Sequence, residues 1–285
     1  MKIITPVVNN PIFIEIQYNT LKKYYDGDYE FIVFNDAKNF PDFTNGNDAS
    51  MRKQIEDVCN KLNIRCINIP NEHHINVLSG SVRNADSMNF ILNFQKENPD
   101  KYLFLDSDMF LIDKFNIDKY KDYKCAVLLQ SRNNSQINYI WTGICYFDNN
   151  KIGDDINLMN WNLKEYCDAG GMMEQWLLKQ MNNHPIPNTD DLRWVKNKDF
   201  HTNDIYFIKH LWSTTWNEEE LPENLRDRKE LIEFMKNDMR NVDGKFFCEI
   251  YDNIFFHYRA GCNWRNEGMD FHKEMSNKLK EILIK

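Results

Sequence analysis

The chain has 285 residues with a formal net charge of −8; 42% of residues are hydrophobic, 27% charged and 14% aromatic. That length is enough for one large or two modest domains with a substantial core, and the composition is ordinary for a globular protein. An acidic balance with no long basic run argues against electrostatic attachment to nucleic acid or anionic lipid, although an acidic protein can still take a polyphosphate through a divalent cation.

The seven cysteines form no CxxC pair and no zinc-like spacing, which points to reduced thiols in a cytosol-like compartment. The start, "MKIITPVVNNPIF", is a poor signal peptide because Pro6 and Asn9-Asn10 soon break its apolar run. No apolar run approaches the ~20 residues a membrane span needs. A soluble, cytoplasmic protein without a transmembrane segment is therefore expected. One sequon, Asn133-Asn134-Ser135, carries no weight.

In chain order, "KIITPVV" (2–8) reads as a buried strand. "PIFIEIQYNTLKKYY" (11–25) reads as a helix, with Ile14, Tyr18, Leu21 and Tyr25 at helical spacing. A strand (29–37), a helix (49–63) and a strand (64–70) follow. The next helix spans 79–100, with Ser81 as its expected N-cap and Val82, Ala85, Met88 and Leu92 along one face. The strand "KYLFLDSD" comes next. Repeated strand–helix alternation predicts a parallel, doubly wound sheet with right-handed crossovers. No GxGxxG or GxxxxGK[ST] stands at the turns, so neither a dinucleotide fingerprint nor a P-loop is offered.

After residue 113 the rhythm becomes mixed. "CAVLLQS" (125–131) and "NYIWTGICYFD" (138–148) read as strands, "NWNLKEY" and "GGMMEQWLLKQM" as short helices. Residues 184–226, rich in Pro, Asn, Asp and Trp, read as a loop-heavy insertion. Residues 245–264 read as a hairpin turning at Asp252-Asn253, and "MDFHKEMSNKLKEILIK" as an amphipathic closing helix. One unit is expected, with a nucleotide-binding half (1–113) and an acceptor half (114–285).

"YLFLDSDMFLI" (102–112) is a buried apolar stretch with two carboxylates in its middle, and an unpaired buried carboxylate is costly. In a strand, residues i and i+2 share a face, so Asp106 and Asp108 would stand side by side where the chain leaves the sheet. Ligands of open α/β sheets bind outside the carboxyl ends of the strands, and two oxygen ligands there suit Mg²⁺ or Mn²⁺. The plainer reading is a polar strand end.

Three contexts favour the ligand reading, each with a structural alternative. Arg83-Asn84, one turn into the preceding helix, can meet Asp106 or a nucleotide, or simply face solvent. Gly143 interrupts a strand, a sign of close approach by ligand or by core. Asp168, ahead of Gly170-Gly171, can take a hydroxyl proton or cap a helix, and Glu174 is a second candidate. His257, ending an apolar strand, can add a nitrogen ligand or be a satisfied core histidine. Arg259, Arg265 and the amides around Gly261 suit a diphosphate.

Taken in order, "FLDSDMFLI", "WTGICYFD", "DAGG" and "HYRAGCNW" resemble the GT-A nucleotide-sugar glycosyltransferases, closest in style to the glycogenin-like branch. The resemblance covers roughly residues 2–36 and 79–264. It implies an α/β GT-A (Rossmann-like nucleotide-diphospho-sugar transferase) fold, a mixed central sheet with DxD at a strand end. It implies a hexosyltransferase-type activity in which Asp106, Asp108 and His257 hold Mn²⁺ or Mg²⁺ on a nucleoside diphosphate. The donor would be UDP- or GDP-linked and the acceptor a glycan or glycoconjugate. Val7, Asp36 and Arg83 would lie near the nucleotide and donor, and the 184–226 insertion would shape the acceptor site, with Trp194, Trp212 and Trp216 as candidates to stack on a glycan. Asp168 would be base if the enzyme inverts, or a stabilising carboxylate if it retains. Two departures stand out: Ala169 follows Asp168 where the glycogenin-like pattern has Gln, and Cys262-Asn263 replaces the usual Lys-Pro.

Two other classes remain. A nucleotidyltransferase shares the fold but signals itself with a Gly-rich basic loop that "TPVVNNPIF" lacks. A non-catalytic carbohydrate-binding protein would keep the aromatics and need no metal.

Overall fold

The structure, a computed structural model, describes residues 1–40, 49–132, 137–165, 167–194 and 199–285. The sequon at 133–135 lies outside them. Strand β1 (Lys2–Val7), helix α1 (Ile12–Tyr24), β2 (Glu30–Asn35), α2 (Met51–Leu62), β3 (Arg65–Asn68), α3 (Gly80–Glu97) and β4 (Lys101–Leu105) reproduce the expected alternation. These four strands pair in parallel in the order β3-β2-β1-β4. The residues of β1, β2 and β4 are almost continuously buried because helices cover both faces, as parallel sheets require, while β3 at the sheet edge is partly exposed.

After β4 the chain makes β5 (Met109–Leu111), β6 (Cys125–Arg132) and β7 (Ile137–Asp148). Strand β7 runs antiparallel to both β4 and β6, which makes the central sheet mixed. Helices α4 (Asn149–Ile152) and α5 (Glu174–Met181) precede β8 (Phe200–His201), β9 (Ile205–Phe207) and β10 (His210–Leu211). Helix α6 (Lys229–Lys236), the hairpin β11 (Glu249–Tyr251) and β12 (Phe255–His257), and helices α7 (Trp264–Glu267) and α8 (Met269–Ile284) complete the chain. Among the described residues the central sheet has eight strands, β3-β2-β1-β4-β7-β6-β9-β8, and a second sheet has four, β10-β11-β12-β5.

Helix α1 is buried more widely than one stripe. Ile14 and Leu21 join the core beneath the central sheet, while Phe13 and Ile16 join the core of the second sheet and α8. Sandwiched in this way, each fully covered side chain contributes about 1.5–3 kcal/mol. The third core, on the opposite face of the central sheet, gathers Met88, Ile91 and Leu92 of α3 with Trp161, Trp176 and Leu177.

Several expectations change. The N-cap of α3 is Ser79, whose hydroxyl accepts from the Val82 amide; Ser81 already lies within the helix. Residues 160–164 of "NWNLKEY" form no helix. Their backbone is engaged elsewhere: the Trp161 amide donates to Asn89 Oδ1, and the Trp161 and Asn162 carbonyls accept from Gly170 and Met172. The Asn160 side chain adds a local turn by accepting from the Asn162 amide. The 184–226 segment is less of a loop than its composition suggests, since it supplies β8 and β9 to the central sheet and β10 to the second. The hairpin does turn at Asp252-Asn253, both at positive φ.

Candidate functional site

The chain runs from β1 to β2 and β3 on one side, then returns to place β4 on the other side of β1. The gap between the carboxyl ends of β1 and β4 is thus the topological switch point, where open α/β sheets take their ligands. A cavity of about 190 Å³ sits there, lined by Pro6, Val8, Asp36, Arg83, Asp106 and Ser107 among others. It adjoins a cleft of about 1270 Å³ walled by the start of α3, the middle of β7 and the segment after β12.

Asp106 and Asp108 lie on the cleft floor, beyond the end of β4, but not through strand alternation. Residues 106–108 form a turn between β4 and β5, closed by the Met109 amide donating to the Asp106 carbonyl at 3.0 Å. The turn is anchored from both sides of the sheet. The Asp106 amide donates to Gly143 O at 2.7 Å, and Gln17 Nε2 of α1 donates to the carbonyls of Asp106 and Met109 at 2.8 and 3.1 Å. Gln17 is a buried polar residue that nothing in the apolar pattern of α1 marked as functional.

Strand β5 pairs with β12, placing His257 opposite Met109 and therefore beside Asp108. His257 Nε2 lies 3.1 Å from Asp108 Oδ1, and the Gly261 amide donates to Asp108 Oδ2 at 2.7 Å. On its other side, His257 Nδ1 meets Glu249 Oε2 at 2.7 Å. Glu249 is held in turn by Tyr251 OH at 2.6 Å and the Ser213 amide at 3.1 Å. The row is Asp108, His257, Glu249. Glu249 was missed in the sequence because its position depends on the hairpin register, although a carboxylate eight residues before a candidate ligand histidine, across a turn, is a signal.

Electrostatically the cluster is crowded. Burial, then the neighbouring Asp108 charge, push Asp106 up to about 7, with His257 opposing. Asp108 is held below the ordinary carboxylate range: burial raises it, but His257 and the Gly261 amide outweigh burial. Burial pulls His257 down, but Asp108 and Glu249 on its two flanks overcome it and push it up to about 10. Asp106, Asp108 and His257 offer ligand atoms that all lie within 4.8 Å of one another. Two carboxylates and an imidazole, with the second imidazole nitrogen fixed by a carboxylate, are a set that could hold a divalent metal ion.

The other predicted residues divide. Asp168 lines the cleft, half-buried, its Oδ1 accepting from the Ala169 amide at 2.8 Å. It is near enough to Asp106 to add to the upward push on that group. Glu174 is not among the cleft residues; it pairs with Lys164 instead. Asp36 and Arg83 line the small cavity, both tightly engaged. Asp36 takes Lys38, Asn71 and Ser87, and Arg83 donates to the His74 and Val77 carbonyls. Val7 is buried in the core, and strand alternation gives the cavity to Pro6 and Val8 instead.

Gly261 is fixed by close packing: a Cβ there would come within 2.7 Å of the Phe13 and Tyr258 rings. Its amide is committed to Asp108 rather than open to a diphosphate. Arg259, half-exposed over the Phe247 ring, and Arg265 both line the cleft. Gly143 is small because the Trp141 ring lies across it, 2.0 Å from where a Cβ would stand. Of the three expected tryptophans only Trp212 lines the cleft; Trp216 is core and Trp194 packs against Lys209. Trp141, which sequence gave no reason to single out, joins Trp212 and lies 5.3 Å from His257 between ring centres.

Fold and site together describe a mixed α/β protein with a carboxylate–imidazole cluster at the switch point of its central sheet. No protein-family model matches the chain, and no curated protein matches it. Among solved structures it is similar to the crystal structure of galactosyltransferase LgtC in complex with donor and acceptor sugar analogs. The identity is 13%, with 76% of this chain and 75% of that one covered, at a TM-score of 0.37. So loose an overlap leaves the functional reading to the site's own geometry. No helix among the described residues is long and apolar enough to cross a membrane.

Proposed function

We propose that the protein is a metal-dependent GT-A-type glycosyltransferase that moves a sugar from a nucleoside-diphosphate sugar to a glycan or glycoconjugate hydroxyl. The observation that carries this reading is the convergence of Asp106, Asp108 and His257 at the switch point of the sheet. These three residues would hold Mn²⁺ or Mg²⁺. Such an ion supplies charge neutralisation for a departing diphosphate.

The chain's own residues divide the remaining work. The small cavity, with Asp36 and Arg83 in its wall, would seat the nucleoside of a UDP- or GDP-linked donor. The α3 N-terminus, whose Gly80 lines both spaces, would favour the charge of the diphosphate. Arg259 and Arg265 add positive charge on the opposite wall. Trp141 and Trp212 offer ring faces to a sugar. Asp168, in the cleft wall, would take the proton of an attacking hydroxyl. A hexose is the donor sugar this reading favours. A carbohydrate-binding protein without chemistry would use the same tryptophans, but it gives no account of the buried carboxylate pair.

A thermal-shift panel of nucleoside diphosphates and nucleotide sugars, with and without Mn²⁺, tests the reading. A ligand at 100 times its Kd adds about 2.7 kcal/mol to the folded state. One nucleotide should raise Tm only with Mn²⁺, and Asp108→Asn should abolish the rise; Asp106→Asn serves if that variant melts poorly. No nucleotide response from folded wild type with Mn²⁺ present would leave the binding protein as the better reading.

A further inference from the structure

His73, His74 and Asp86 form a second cluster of metal-ligating groups, away from the cleft floor. We propose that they are a separate binding site for a borderline transition-metal ion, Zn²⁺ before Mg²⁺ or Mn²⁺, which ties residues 72–77 to helix α3. This site stands independently of the proposed glycosyltransferase activity.

The geometry is unusual for adjacent residues. His73 and His74 lie on a single 3₁₀ turn, Glu72–Asn76, where successive side chains point about 120° apart. Both rings nevertheless swing onto one oxygen, with Nε2 of His73 and His74 at 3.3 and 2.9 Å from Asp86 Oδ2. Their ring centres are 4.2 Å apart. A carboxylate at Nε2 explains the placing of His74, which is fully covered and whose Nδ1 is left without a partner, but not that of His73. That side chain is 61% exposed, and an exposed ion-pair contact contributes no more than about 1 kcal/mol while costing side-chain freedom. A shared ion accounts for both rings. The three ligand atoms lie within 4.8 Å of one another, and only a small closure brings each to the ~2 Å of a zinc bond.

The scaffold is already set. The His74 amide donates to Asn71 O at 2.9 Å, and Arg83 donates to the His74 and Val77 carbonyls at 3.1 and 2.8 Å. Arg83 stands one helical turn before Asp86 on α3, so it fixes the segment that carries the imidazoles relative to the carboxylate. Two imidazoles and one carboxylate form a softer set than the cluster at Asp106, which is why the two sites should sort ions differently. His73 and Asp86 are open to solvent, leaving room for water ligands. An ion here would also brace one cleft wall, because the same segment continues into Leu78 and Gly80.

The test is a Zn²⁺ titration by calorimetry, with Co²⁺ absorption as a second readout, on chains carrying Asp108→Asn to disable the other cluster. One ion per chain should bind, and adding His73→Ala, an exposed change, should weaken binding at least about 100-fold. If Asp108→Asn folds poorly, wild type and His73→Ala are compared directly, and the variant should bind one ion fewer. Failure of Asp108→Asn to bind Zn²⁺ while folded, or an identical titration with and without His73, overturns the proposal. Neither outcome touches the nucleotide response of the wild type, so the two readings fail separately.

Discussion

The half of the chain before Ile112 and the half after it build the site in opposite ways. In the first, β1 to β4 and their helices are local units in sequence order, and they deliver one tight turn, residues 106–108, to the edge of a parallel sheet. In the second, the elements are short and the contacts long-range. His257 and Gly261 reach Asp108, and Glu249 reaches His257, only because a three-residue strand, β12, pairs with another, β5. The regular half supplies the floor; the irregular half supplies the groups that tune it. Changes in the second half should therefore alter the site's chemistry through single buried contacts, whereas changes in the first, Asp106 and Asp108 apart, should be felt mainly as local helix or strand stability.

The largest expected effect is acid sensitivity lodged in the second half. His210 on β10 is buried, and burial drives its pKa from the ordinary 6.5 down to about 4. Its Nε2–H donates to Thr189 O at 2.9 Å, its ring packs on Trp212, Glu249 favours its protonation and Arg193 opposes it. The unfolded chain takes up this proton near 6.5 and the folded chain only near 4, so the unfolded state binds more protons between them. Stability from this group is complete above pH 6.5 and is lost as pH falls towards 4, by about 3 kcal/mol in all. Urea unfolding at a series of pH values, compared with His210→Asn, should show a wild-type curve steeper over that window. Parallel curves would remove the contrast between the halves.

Next comes Glu249→Gln, which keeps the shape of the side chain and removes its charge. If Glu249 holds His257 with Nε2 free for a cation, Mn²⁺ affinity should fall about 10- to 100-fold, the usual cost of losing an outer partner. Calorimetric Mn²⁺ titration of folded protein measures this directly. A lower Tm with unchanged Mn²⁺ affinity would make Glu249 a packing residue only.

How far the sequence revealed this follows the same division. Apolar runs and helical spacing located β1 to β4 with α1 to α3, because there each element's pattern is set by its own neighbours. Asp106, Asp108 and His257 were visible as polar residues in apolar strands. What was not visible depended on distant chain: Gln17 beneath the turn, Glu249 behind the histidine, and Trp141 lying over Gly143. Composition also misled. The Asn- and Pro-rich 184–226 segment contains three strands, each only two or three residues long, whose partners lie far away. "NWNLKEY" has helical periodicity, but its backbone groups bond to Asn89 and to the Gly170–Met172 turn instead.

The smallest effect tests the first half, at the start of α3. Ser79 Oγ accepts from the Val82 amide at 3.4 Å, a long bond, so Ser79→Ala should cost near the low end for N-caps, about 0.5 kcal/mol. Ser81, inside the first turn, has no such duty, and Ser81→Ala should be neutral or slightly stabilising since alanine is the better helix former. The two variants, unfolded side by side in urea, locate the first residue of the helix. The reversed order, with Ser81 the costly position, would start α3 two residues later. The place proposed for the diphosphate, at the start of α3, would then move with it.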